Sequence, residues 1–509
     1  MNLGRFAKTI AAGLAALLVS GCALALPVEG PKPVIDTSIS SELKPFYEQR
    51  ITWLTCGGGK AVCGEFKVPM DWSKPDGETL KLSIAYRPAD NAKPLGSLIF
   101  NPGGPGSSAT SWLLDSAEQI GTSELRKNYN LVGFDPRGVG KSEPSVKCLD
   151  SKGTDELLYG DTGLELGSNA DLAETRRSMK AFIDACVANS GPGLGFIDTV
   201  STAKDLDVLR ALMGDSKLNY LGFSYGTYMG ATYAALFADR VGRMVLDGAI
   251  DPTISDEQQS VYQLAGFDQA LRNYLADCLG SADCPFSGTV EKALAKIKSL
   301  LFTIEKKPLP TSDGRELTIW AAITGLIMPL YSQSYWPALS QGFAEAIDGD
   351  GSTLIQLADA YNDRDEKGAY LSNLMEANFA INCADSRAPS DQKSMLEQNA
   401  KMLKASPTLG RYWAWGALGC EQWPYPVSEK PKTWSAIGAN PILVVGTTGD
   451  PATPYSQAVS LANKVLANAK LLTFNGEGHT AYGQENRCVN ETVDDYFIRN
   501  VVPTEDPNC

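Results

Sequence analysis

The run Leu218-Asn219-Tyr220-Leu221-Gly222-Phe223-Ser224-Tyr225-Gly226 joins a short apolar strand to a G-x-S-x-G turn, and Tyr225–Phe237 continues it as a helix of small residues. A serine on a sharp strand-to-helix turn crowds its neighbours. Glycines on both sides relieve that crowding and leave Oγ exposed at the helix N-terminus. The alternative is a packing turn with an inert serine. Working outward, Ser97-Leu98-Ile99-Phe100 is a strand that runs into Asn101-Pro102-Gly103-Gly104-Pro105-Gly106. Asn130–Phe134 is another, ending at Asp135-Pro136-Arg137-Gly138, and Met244–Asp247 follows the elbow. Leu80–Tyr86 alternates as a half-buried strand, and residues 171–189 and 201–213 have helical spacing. Strands alternating with helices predict a mostly parallel α/β sheet.

A serine hydroxyl is a poor nucleophile without a base. The chain has a single histidine, His479, in the loop Asn475-Gly476-Glu477-Gly478-His479-Thr480 after the strand Lys470–Phe474. A base needs an acid to fix its tautomer. Asp450 follows the strand Pro441–Gly446 and gives the order Ser224, Asp450, His479. Asp247 is the reserve acid. An oxyanion needs backbone donors. Tyr225, the residue after the nucleophile, is one expected donor, and the loop at Gly103 and Gly104 supplies the other. Gly140-Lys141-Ser142 suggests a phosphate loop, but Asp135 stands where that motif needs glycine.

Composition narrows the classes. The chain has 509 residues, 43% hydrophobic and 20% charged, with 45 basic and 59 acidic side chains, net −14. This is globular composition and carries no basic block for nucleic acid. One histidine excludes multi-histidine metal sites, so no metal and no cofactor is expected.

Residues 1–22 read as a targeting segment, with Arg5 and Lys8 before the apolar run Ile10–Val19. Val19-Ser20-Gly21-Cys22 resembles the lipobox of bacterial lipoproteins, with Cys22 the lipidated residue and membrane anchor. A plain secretory signal cleaved near residues 23–25 is the alternative. Either way the chain is expected outside the cytoplasm. Residues 23–45 read as a flexible tether. The other ten cysteines suit an oxidising compartment. Sequential pairing is expected because short loops close most readily: Cys56–Cys63, Cys148–Cys186, Cys278–Cys284, Cys383–Cys420 and Cys488–Cys509. One or two buried free thiols are the alternative. Residues 46–250 and 426–509 form the two parts of the α/β core, closed by a helix over 489–501. Residues 251–425 form a mostly helical insertion.

The motifs Pro102–Gly106, Phe134–Ser142, Gly222–Gly226, Asp450-Pro451-Ala452-Thr453-Pro454 and Gly478-His479 occur in that order. In this the chain resembles the α/β-hydrolase serine exopeptidases related to prolyl iminopeptidase, and is most similar to the secreted tripeptidyl aminopeptidases of actinobacteria. The resemblance implies the α/β-hydrolase fold, a Ser224–Asp450–His479 triad, Gly103 and Tyr225 as oxyanion donors, and a helical cap that limits substrate length. Pro102 replaces the histidine of the prolyl iminopeptidase motif, which argues against strict proline specificity. Peptides are the expected substrates, cleaved at free N-termini by way of an acyl-enzyme. A free ammonium calls for carboxylates in a dry pocket. Glu376 and Asp385 are the candidates, and an exposed acidic face is the alternative. The run Tyr412-Trp413-Ala414-Trp415 either lines subsites or fills the cap. Two other functions stay open: an esterase or amidase on small molecules, and a non-catalytic solute-binding lipoprotein.

Overall fold

The structure, a computed structural model, describes residues 26–509. The targeting segment and Cys22 lie outside the described residues. The strands are β1 (Pro27–Val28), β2 (Trp53–Cys56), β3 (Ala61–Pro69), β4 (Thr79–Arg87), β5 (Ser97–Asn101), β6 (Asn130–Phe134), β7 (Leu218–Phe223), β8 (Val241–Asp247), β9 (Leu309–Pro310), β10 (Glu316–Leu317), β11 (Ile442–Gly449) and β12 (Ala469–Glu477). All but β9 and β10 join one sheet in the order β1-β2-β3-β4-β6-β5-β7-β8-β11-β12. β1 to β4 pair antiparallel, β4 meets β6 antiparallel, and the rest are parallel.

The parallel strands are apolar on both faces because both are covered. Leu98, Phe100, Leu221, Val245 and Leu443 enter one core. Ile99, Tyr220, Met244, Leu246 and Ile442 enter the core on the other face. The chain leaves β5 for β6 on one side and returns to β7 on the other, so the strand order reverses at β5. Such a reversal opens a crevice at the carboxyl ends of the strands. Asn101 pairs with Gly222 there, which sets the Gly103 loop against the serine turn.

A third core belongs to the insertion, around Leu264, Phe267, Tyr274, Ile297, Leu326, Phe343 and Leu354. Four of its helices start on an N-cap residue (Ser255, Thr289, Thr318 or Asp391) whose side chain accepts the N–H three residues on. The expected boundary of the insertion at 251–425 is not clean. Tyr159, ending the helix Ser151–Tyr159, packs into the insertion core. The helix Leu374–Asp385 instead packs on the sheet through Ala377, Ala380, Ile381 and Ala384. Burial of these particular side chains overrides chain order.

The expected tether over 23–45 needs correction from residue 26 onward. β1 pairs with β2, and Val34 N–H donates to Ala211 O at 2.8 Å. Asp36 pairs with Arg240 at 3.1 Å, and Ile39 is buried with Phe46 and Tyr47 of the following short helix Lys44–Tyr47. The segment has no periodicity of its own but finds a sheet edge and a buried pocket. Five disulfides join Cys56–Cys63, Cys148–Cys186, Cys278–Cys284, Cys383–Cys420 and Cys488–Cys509.

Candidate active site

Ser224 sits between β7 and the helix Tyr225–Leu236 with φ 54° and ψ −124°. A serine at positive φ is strained and is held there by its surroundings. Its N–H donates to Asp247 O at 2.9 Å, and its carbonyl accepts from Thr227 N and Oγ1. The turn leaves no room for flanking side chains. A Cβ on Gly226 would stand 2.7 Å from Asn101 O, and one on Gly222 would stand 2.7 Å from Tyr220 Cε1. Tyr225 opens the helix, so its N–H has no intrahelical partner.

The two glycines of the loop after β5 serve different ends. Gly103, at φ +100°, gives clearance: a Cβ there would lie 2.8 Å from Ser224 Cβ. Its N–H is already taken by Asn101 Oδ1 at 2.9 Å, which corrects the expectation that it donates to an oxyanion. Gly104 lines the cavity beside Ser224 and Tyr225.

His479 Nδ1 lies 2.9 Å from both oxygens of Asp450. Asp450 is buried (3% exposed) and also accepts from Ala452 N, Thr453 N and Thr453 Oγ1. These bonds fix the carboxylate and, through it, the ring tautomer. Burial works against a charged imidazole. The charge and hydrogen bond of Asp450, with the charge of Asp247, outweigh it and hold the His479 pKa above its ordinary value. His479 Nε2 is buried with no hydrogen-bond partner among the described residues, Ser224 Oγ included. Hydrogen bonds of this kind are commonly long before substrate binds.

Asp247, the reserve acid, has another task. It accepts from Ala481 N at 3.0 Å and Tyr482 N at 2.8 Å, and so anchors the loop that carries His479. Burial pushes its carboxyl up to about 6. Tyr331 went unnoticed in the sequence. Its carbonyl accepts His479 N–H at 2.9 Å, and its ring meets the imidazole edge-on. A backbone carbonyl from the insertion leaves no trace in residue type.

A cavity of about 560 Å³ connects Ser224, Gly104 and Tyr225 to the insertion, with Tyr331, Trp413 and Asp385 among its walls. Of the two acidic candidates, Asp385 lines it and Glu376 does not. Glu376 accepts from Cys148 N at 2.8 Å and Leu149 N at 2.9 Å, so it stitches a core segment to its helix. Asp385 accepts from Thr199 N at 2.8 Å and Thr199 Oγ1 at 2.5 Å, and Thr199 Oγ1 also bonds the Tyr225 hydroxyl. Burial pushes the Asp385 carboxyl up to about 7. Trp413 faces this cavity, whereas Tyr412 and Trp415 line a separate one of about 790 Å³.

Residues 96–312 match the family described as alpha/beta hydrolase fold, and residues 406–509 match the family described as TAP-like protein. Serine protease Hip1 of Mycobacterium tuberculosis is 37% identical over 485 residues, 92% of this chain and 92% of that protein. Carboxylesterase B of the same species is 36% identical over 454 residues, 88% of this chain and 86% of that protein. Tripeptidyl aminopeptidase of Streptomyces lividans is 30% identical over 455 residues, 88% of this chain and 83% of that protein. The non-catalytic solute-binding alternative falls with these matches, and the chain is a serine hydrolase of the α/β-hydrolase family, in the branch whose C-terminal region is TAP-like.

Proposed function

We propose that the protein is a serine peptidase that releases short peptides, tripeptides in the first instance, from free N-termini. One observation carries the reading: the single histidine, held at Nδ1 by Asp450, follows β12 at the same end of the sheet where the strained Ser224 follows β7, and Ser224 lines a cavity walled by the insertion. In the mechanism, Ser224 Oγ attacks the scissile carbonyl while His479 Nε2 takes its proton. Asp450 stabilises the imidazolium. The oxyanion accepts from Tyr225 N–H and Gly104 N–H. The imidazolium then protonates the departing amine, and water cleaves the acyl-enzyme by the same route. Asp385 lines the cavity together with Asp256 and Glu257, and these carboxylates suit a substrate ammonium. The protein is read as extracytoplasmic, anchored by lipid on Cys22. Five disulfides fit that compartment.

A second reading, an esterase or amidase on small molecules, is favoured by the 36% identity to a protein named carboxylesterase B. Hydrolysis of a tripeptide anilide and of its N-acetylated twin separates the two. Cleavage of the free form alone, between the third residue and the anilide, supports the exopeptidase. Equal cleavage of both removes recognition of the amine and leaves the second reading.

A further inference from the structure

The peptide between Ser224 and Tyr225 joins the nucleophile to an oxyanion donor, because its nitrogen is Tyr225 N. A peptide unit is planar, and its C=O and N–H point in opposite directions. Whatever fixes Ser224 O therefore fixes the line of the Tyr225 N–H. Ser224 O accepts from Thr227 N at 2.8 Å and from Thr227 Oγ1 at 2.6 Å. Thr227 is wholly buried. A threonine bonded back along its helix is common. Here the carbonyl it holds belongs to the peptide whose N–H serves the reaction.

The direction of the hydroxyl proton follows from its partners. Ile250 N–H donates to Thr227 Oγ1 at 2.9 Å. A backbone N–H can only donate and a backbone carbonyl can only accept, so the one proton on Thr227 Oγ1 points to Ser224 O. Hydrogen bonds in series polarise one another. This series runs from Ile250 N–H through the Thr227 hydroxyl and the Ser224–Tyr225 peptide to the Tyr225 N–H. Ile250 lies in the loop after β8 and lines the cavity with Asp251 and Pro252. At the other end the approach is clear. Tyr225 N–H has no intrahelical partner, and Gly103 lacks the Cβ that would stand 3.2 Å from Tyr225 N.

We propose that Thr227 is a positioning residue whose hydroxyl, acting through the Ser224–Tyr225 peptide, aims and polarises the Tyr225 N–H at the oxyanion. The inference rests on the reading of Tyr225 N–H as an oxyanion donor. It holds for peptide and ester substrates alike, since both pass through the same oxyanion.

The test measures kcat, KM and urea midpoints for the wild type, Thr227→Val, Thr227→Ser and Ser224→Ala, on a tripeptide p-nitroanilide and on p-nitrophenyl acetate. Removing an oxyanion donor outright costs about 10²–10³ in kcat. Thr227→Val keeps the donor but loosens it, so kcat should fall about tenfold on each substrate the wild type cleaves, with KM unchanged. Thr227→Ser retains Oγ and should restore kcat to within about threefold of the wild type. Thr227→Cys, a weaker donor, replaces the valine variant if that one does not fold; its kcat should lie below that of Thr227→Ser. A lowered urea midpoint with wild-type kcat in Thr227→Val assigns the hydroxyl to packing and overturns the proposal. So does a cysteine variant that matches the serine one, or a loss confined to KM. Turnover that survives in Ser224→Ala overturns the serine mechanism itself, and this proposal with it.

Discussion

His479 is the one imidazole of the chain, and its surroundings set a pH response. Because Asp450 and Asp247 hold the ring's pKa above 6.5 against burial, the neutral base fills only as pH rises past that value. The acid limb of kcat/KM for the tripeptide anilide should therefore lie above pH 6.5. Asp450→Asn removes the carboxylate charge next to Nδ1. It should move that limb to lower pH and cut kcat by on the order of 10³ to 10⁴. A limb that stays in place would assign it to another group. Asp385 gives a second prediction, on stability. Its folded pKa of about 7 exceeds the ordinary carboxylate value of 3.8, so ionisation is disfavoured in the fold. The native state then loses stability as pH rises from about 4 to about 7. Asp385→Asn, neutral throughout, should gain on the wild type across that window and hold a constant difference above it. Urea midpoints at pH 5 and pH 8 measure this; a pH-independent difference would contradict it.

At the scale of elements, the site is built where strands end. Ser224 follows β7, Asp450 follows β11, and His479 follows β12. This is why the three were legible in the sequence: each lies in a loop just after an apolar run. What was not legible depends on direction. Glu376 and Asp385 occupy one helix, yet only Asp385 reaches the cavity, because Glu376 turns to the N–H groups of Cys148 and Leu149. The glycine loop was recognised, but not that Asn101 occupies the Gly103 N–H. The elbow's tight fit predicts a further result. In Gly226→Ala the new Cβ would press on Asn101 O at 2.7 Å and on Asn101 Oδ1 at 3.0 Å, the atom that holds Gly103. The loop and the nucleophile should move apart. Activity should fall at least tenfold, with a cost of about 1–3 kcal/mol in stability. Chemical denaturation with activity measured in parallel checks both, and an alanine variant with wild-type kcat would refute the account.

Across the whole molecule, three cores share one chain, and their boundaries follow burial more closely than sequence order. The Pro- and Ser-containing N-terminal arm shows why such boundaries escape a sequence reading. Its anchoring residues, Ile39 and the adjacent pair Phe46 and Tyr47, form no periodic pattern in the sequence but converge in space on the core of the sheet. Tyr47 donates to the wholly buried carboxylate of Asp207 at 2.7 Å, where Arg210, Arg240 and the Tyr233 hydroxyl also bind. A free leash could be removed from such a protein without cost. A docked arm cannot, because its loss bares the β2 edge, uncovers an apolar pocket and takes one donor from a buried charge. Burying a large side chain contributes about 1.5–3 kcal/mol, and a hydrogen bond to a charged group about 1.5–3 kcal/mol. Starting the chain at residue 48 instead of residue 26 should therefore cost several kcal/mol and lower the urea midpoint clearly. Tyr47→Phe should reproduce only the hydrogen-bond share, since it keeps the ring and its packing. Equal midpoints for the two chain lengths would show that the arm rests on the sheet without holding it. A Tyr47→Phe effect as large as the deletion would place the whole contribution at Asp207, leaving none for the buried rings.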